Sequence, residues 1–135
     1  MAKEFRIRFE GKARVVAEVD GGEIATDQSV EAGGEGSAPE PLLLFFASIG
    51  TCAGINVRRF CETRGIPTEG IHLTQSLIGD PEKPGRVGTI RIEIHLPHEF
   101  PEKYRPAVVR AANGCAVKRT LQDPCRIEVE TTPAS

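Results

Sequence analysis

The sequence has no tryptophan, one tyrosine and six phenylalanines, so it offers little aromatic surface on which nucleic-acid bases could stack. It also lacks an excess of either charge: 17 Lys and Arg stand against 19 Asp and Glu, a net charge of −2, and the basic footprint of a nucleic-acid-binding domain is missing. None of its four cysteines forms a C-x-x-C pair, which argues against a zinc knuckle or a thioredoxin-type motif. No secretory leader is expected. Met1 to Arg6 runs straight into charged, alternating sequence, and the expected location is the cytoplasm, where thiols stay reduced. The one long apolar stretch, residues 41–57, is at the short limit for a membrane span and is interrupted by Gly50, Thr51, Gly54 and Asn56; a core helix is the better reading. The glycine-rich segment at 33–36 lacks the lysine of a phosphate loop and carries Glu35 instead. No Ser-His-Asp arrangement stands out. His95 and His98, three apart at a strand end, turn to different faces and His72 has no ligand neighbour in sequence, so no metal site is expected.

What remains is an ordinary globular composition, 39% apolar and 27% charged over 135 residues, which fits a single domain spanning 1–135. Phe5–Phe9 and Ala13–Val19 alternate with period two and predict strands, and Asp20-Gly21-Gly22 predicts a hairpin turn into a third strand at 23–26. After a loop, residues 41–63 are free of interior proline and predict a long helix, apolar all round in its first four turns and therefore buried on all sides. Gly65-Ile66-Pro67 supplies its stop. Strands are expected at 71–77 and 87–96, joined by a long hairpin loop at 79–85, then a helix at 101–112, a short helix at 115–121 and a final strand at 126–131. The class is α+β, an antiparallel sheet packed on one long buried helix.

The chemistry then turns on the thiols. Cys52 sits in the apolar part of the long helix among small residues; the position suits an inert core thiol as well as a reagent that a substrate can approach closely. Cys61, nine positions on, falls on the opposite side of the helix and cannot share a site with Cys52. Cys115 opens a short helix with Lys118 and Arg119 close behind, surroundings that favour a thiolate. Cys125, after Asp123-Pro124, has no such surroundings and reads as a strand-edge residue.

The apolar helix running from Leu42 to Cys52, in Leu42-Leu43-Leu44-Phe45-Phe46-Ala47-Ser48-Ile49-Gly50-Thr51-Cys52, resembles the first signature of the OsmC/Ohr family, the osmotically inducible and organic hydroperoxide resistance proteins. The segment Cys115-Ala116-Val117-Lys118-Arg119-Thr120-Leu121 resembles that family's second, C-P-V-x-R-x-L, and the two cysteines stand 63 residues apart, as suits the family. The resemblance implies an intertwined homodimer with a sheet wrapped about each long helix and active sites at the dimer interface. It implies Cys52 as the nucleophile that attacks an organic hydroperoxide and Cys115 as the cysteine that resolves it, with an external thiol as reductant and neither metal nor organic cofactor. Such peroxidases hold the first thiolate with a Glu near the helix start and an Arg from the early strands. Here Glu40 lies two residues farther from Cys52 than that pattern, and Arg14 and Arg119 are the arginine candidates, which points to the OsmC-like branch. The rival expectation is a non-catalytic dimer of the same fold that binds an apolar or acyl ligand beside Cys52. No nucleic acid and no membrane is expected as a partner.

Overall fold

The structure is a computed structural model in which residues 3–133 are described. It divides into two compact units, the break falling between residues 47 and 48, inside the long helix.

In the first unit, Arg6–Glu10 (β1), Arg14–Val19 (β2) and Gly22–Thr26 (β3) form an antiparallel sheet in the order β1-β2-β3. Val19 pairs with Gly22, which leaves a two-residue turn, and Asp20 (φ 50°) and Gly21 (φ 76°) both take the left-handed conformation that a type I′ hairpin requires. The pairing register puts Ile7, Ala17 and Ile24 on one face and Arg8, Glu18 and Glu23 on the other. On the charged face Arg8 bonds Glu10 at 2.6 Å, Glu18 at 3.2 Å and Glu23 at 3.0 Å. The apolar face is open, with Ile7 56% and Phe9 86% exposed.

The loop from 27 to 40 is built on Asp27. This buried carboxylate accepts the Ser37 hydroxyl at 2.6 Å, the Ser37 amide at 3.0 Å and the Gln28 amide at 2.7 Å, which holds its pKa down at about 2. Arg14 Nη1 donates to the Ser37 hydroxyl at 2.8 Å. Gly34 is required by packing here, because any Cβ would collide with the Gln28 carbonyl.

Pro41–Thr63 is α1. Proline suits its first position, where no amide partner is lost, and the Glu40 carbonyl accepts the first helical bond from Leu44 N–H at 3.1 Å. The helix ends as the sequence predicts. Gly65 (φ 65°) donates to the Glu62 carbonyl at 3.2 Å and Ile66 to the Cys61 carbonyl at 2.9 Å, a Schellman motif with Pro67 just beyond. By length and composition α1 is apolar enough to cross a membrane, yet its buried stripe, Ile49, Ala53, Val57, Phe60 and Cys61, packs into the chain's own core.

The second unit holds the rest of α1, an antiparallel hairpin of His72–Asp80 (β4) and Lys83–His95 (β5), a 3-10 turn at Glu102–Tyr104, α2 (Arg105–Asn113) and α3 (Ala116–Gln122). Its core joins Val57, Phe60 and Cys61 of α1 to Phe100 and Val108, with Leu73, Ile94 and Leu96 packed against them. Burial of Val57 and Val108 stabilises the fold by roughly 1.5–3 kcal/mol each. At Gly50 the end of the Gln75 side chain occupies the space that a Cβ would take.

Four expectations are corrected. The long helix is buried along one stripe and not all round: Leu42, Leu43, Phe45 and Ile55 are exposed in the single chain. The loop between the fourth and fifth strands is a tight turn, since β4 runs to Asp80 and β5 starts at Lys83. The helix at 101–112 is a 3-10 turn followed by α2, because Pro106 lacks the amide an uninterrupted helix would need and is accommodated in the first turn of α2. Residues 126–131 form no strand; Ile127 and Val129 are 84% and 92% exposed and find no partner strand among the described residues.

Candidate active site: a pair of thiols

The site is built from two segments far apart in sequence. Cys52 lies in the middle of α1, half-buried, between the buried residues Ile49 and Ala53. Cys115 is the residue before α3, in an extended conformation (φ −66°, ψ 130°), and is buried. Gly114, which ends α2, turns the chain so that Cys115 enters the core, with its sulfur 4.0 Å from the carbonyl oxygen of Ile49. The two cysteines expected to react together are thus in contact, and both are free thiols.

The electrostatics distinguish the two partners. Cys52 is held below the ordinary thiol range, most of all by the hydrogen bond from the Cys115 thiol, then by the backbone N–H of Val117; burial opposes this, and the Ala116 N–H and the positive charge of Arg119 add to it. Val117 and Ala116 open α3, so their amides have no carbonyl partner within the helix and point at the sulfur. Arg119 is anchored by Nη1 donating to the Gly114 carbonyl at 2.7 Å. From the sequence, the favourable helix start is expected to serve Cys115, its own residue. The structure instead aims those amides across to Cys52. Nothing in the sequence reveals that aim, since it depends on how α3 docks against α1.

Of the three candidates for holding the thiolate, Arg119 acts on Cys52. Arg14 and Glu40 belong to the first unit and find partners there: Arg14 bonds Glu10 at 3.3 Å and Ser37 at 2.8 Å, and Glu40 Oε1 accepts the Ser29 amide at 3.4 Å. Cys61 is fully buried on the other side of α1, where burial raises its pKa, and Cys125 is exposed. His72, without a neighbour in sequence, lies directly across from His95 in the β4–β5 register, the rings stacked with centroids 4.4 Å apart and Thr74 Oγ1 2.9 Å from His95 Nε2. Among the described residues no three His, Cys, Asp or Glu side chains gather to hold a metal ion.

The family model described as OsmC-like protein matches residues 34–130, a span that contains both cysteines. The chain belongs to the OsmC-like family. Its fold is also that of solved structures. A Psychrobacter arcticus 273-4 protein, provisionally described as an osmotic stress induced and detoxification response protein, is 23% identical with a TM-score of 0.70, covering 89% of this chain and 88% of that one. A hypothetical protein from Aquifex aeolicus VF5 is 19% identical with a TM-score of 0.67, covering 92% and 89%. An organic hydroperoxide resistance protein OsmC from Legionella pneumophila is 21% identical with a TM-score of 0.53, covering 90% of each chain. No curated protein matches this sequence. The α+β OsmC-like fold expected from the sequence is therefore established; the Psychrobacter protein's description concerns osmotic stress and detoxification and the Legionella protein's organic hydroperoxide resistance, while the Aquifex protein carries no functional description.

Proposed function

We propose that this OsmC-like chain is a thiol-dependent peroxidase that reduces organic hydroperoxides through Cys52 and Cys115. The observation that carries the reading is the juxtaposition of the two thiols, with Cys115, α3's first amides and Arg119 all favouring the Cys52 thiolate. The thiolate attacks the distal peroxide oxygen, the O–O bond breaks, and the alkoxide takes a proton and leaves as the alcohol; Cys52 becomes a sulfenic acid. The Cys115 sulfur then attacks the Cys52 sulfur, water leaves, and a disulfide forms. An external thiol or dithiol returns both cysteines to thiols by exchange and is itself oxidised to a disulfide. Every redox change lies on sulfur and oxygen, so the cycle uses neither metal nor organic cofactor.

The working unit in this reading is a pair of identical subunits in the cytoplasm. The exposed apolar face of β1–β3 and the exposed Leu42, Leu43 and Phe45 of α1 are surfaces that a second copy would cover. Light scattering at micromolar concentration checks this, with a dimer mass expected.

A second reading has its own support. A cavity of about 320 Å³, lined by Ile92, Ile94, Leu96 and Val109 together with Arg105 and Asn113, reaches α1 at Ala53, the residue after Cys52, and would suit an apolar or acyl ligand. Free thiols counted before and after one equivalent of cumene hydroperoxide separate the two. The peroxidase loses two thiols, and neither Cys52→Ser nor Cys115→Ser forms the intramolecular disulfide. Survival of all four thiols would leave only ligand binding.

A further inference from the structure

A second cleft of about 550 Å³ lies at the far end of α1, where the chain turns through Gly65-Ile66-Pro67. Thr63 lies eleven positions beyond Cys52 on the helix, about 16 Å along the axis, so this cleft is apart from the thiol pair. Its volume is that of a small-molecule site.

Two cations converge on one aromatic ring there. The Arg64 guanidinium lies over Phe60, 3.7 Å from the ring centroid, donates from Nη1 to the Phe60 carbonyl at 3.2 Å, and stands 5.5 Å from the centroid of Tyr104. Lys103 Nζ is 5.0 Å from the Tyr104 centroid. Among the described residues neither cation has a carboxylate within ion-pair distance. Glu69 and Glu99 line the same cleft and remain unpaired with them. The remaining walls are apolar, from Ile66, Phe100 and prolines whose fixed backbones keep the cleft open in advance. Arg64 is thus held by its contact with the Phe60 ring and by its bond to the Phe60 carbonyl, the one side-chain hydrogen bond it makes among the described residues, and both it and the Lys103 ammonium face Tyr104.

We propose that this cleft binds a small monocarboxylate with an apolar body, its carboxylate held by Arg64 and Lys103 and its body against Phe100 and Ile66. The planar guanidinium fork matches a carboxylate. The two acids in the lining oppose a doubly charged head such as a phosphate monoester, and the apolar walls give a bare acetate little to bury.

Tyr104 is the sole tyrosine and the chain has no tryptophan, so intrinsic fluorescence reports on this cleft alone. The test titrates the full-length protein with sodium octanoate while Tyr104 emission is recorded, and repeats the titration with 1-octanol, acetate and octyl phosphate. A saturable change with octanoate is expected, at a concentration about tenfold below that for each of the other three, because a charged hydrogen-bonded head group contributes on that scale. Lys103→Gln, at an exposed position, removes one cation with the Arg64 stack intact and should weaken octanoate by about tenfold. Arg64→Gln should weaken it further, with thermal melting to verify folding. Cys52→Ser should bind octanoate as the parent does, so the result stands whether or not the thiols reduce peroxides. Octanol or octyl phosphate binding as tightly as octanoate, no saturable change at all, or Lys103→Gln binding like the parent would each overturn the proposal.

Discussion

Cys52 and Cys61 lie on one helix nine residues apart, and the two sides of that helix treat the same chemical group in opposite ways. Cys61 faces the core among Val57, Phe60 and Val108, where nothing favours a charge, and burial drives its pKa up. Cys52 faces Cys115 and the start of α3, where a thiol, two amides and Arg119 together outweigh the burial and bring its pKa down. Whether a cysteine is a reagent is decided by the donors aimed at it, more than by how deeply it is buried.

The largest expected effect is on turnover. Cys52→Ser should reduce hydroperoxide consumption to the uncatalysed rate, while Cys61→Ala should leave turnover unchanged and cost about 1–2 kcal/mol in chemical denaturation, the loss expected for a small buried truncation. Equal turnover in the two variants would erase the distinction between the two sides.

Next comes the cation. Arg119→Gln should raise the Cys52 pKa and slow the reaction several-fold at neutral pH, with the rate recovering at alkaline pH, where the thiol ionises without help. A deficit that persists at high pH would mean that Arg119 does something other than stabilise the thiolate.

The two thiols also link to stability with opposite signs. Cys61 keeps its proton in the folded state at a pH where the unfolded thiol, near 8.5, has lost it; the unfolded chain then binds fewer protons, so stability is full below that pH and falls as pH rises toward the folded value. For Cys52 the unfolded chain binds more protons, so its contribution is present above the unfolded pKa and fades as pH falls through the lowered folded value. Urea midpoints measured from neutral to alkaline pH in wild type and Cys61→Ala should show a shallower alkaline loss in the variant.

The smallest effect is expected at Gly50→Ala. The added methyl meets the end of the flexible Gln75 side chain, which can move, and alanine gains up to about 1 kcal/mol of helix propensity, so the net change in stability should stay within about 1 kcal/mol of zero.

Local features of the fold were legible in the sequence wherever one segment determined its own structure. Alternation at 5–9 and 13–19 gave β1 and β2, Asp20-Gly21 gave a type I′ turn, and Gly65-Ile66-Pro67 gave the helix stop. Residues 126–131 alternate just as clearly, yet a strand needs a neighbour, and none is available to them among the described residues. The apolar circumference of α1 suggested burial on all sides, but one chain covers only one stripe of it. The thiol pair shows the same division. Each cysteine was a candidate from its own neighbours, whereas their meeting across 63 residues rested on the family resemblance. The aim of the Ala116 and Val117 amides at Cys52, and the stacking of His72 on His95, come from tertiary packing and leave no local mark.

The most direct measurement is the alkylation rate of each cysteine as a function of pH, resolved by peptide mass spectrometry on the reduced protein. Cys52 is expected to react with a midpoint clearly below the ordinary thiol value of about 8.5, with Cys61 protected throughout the same range. A Cys52 midpoint at or above that value would contradict an activated thiolate and return Cys52 to the status of a lining residue.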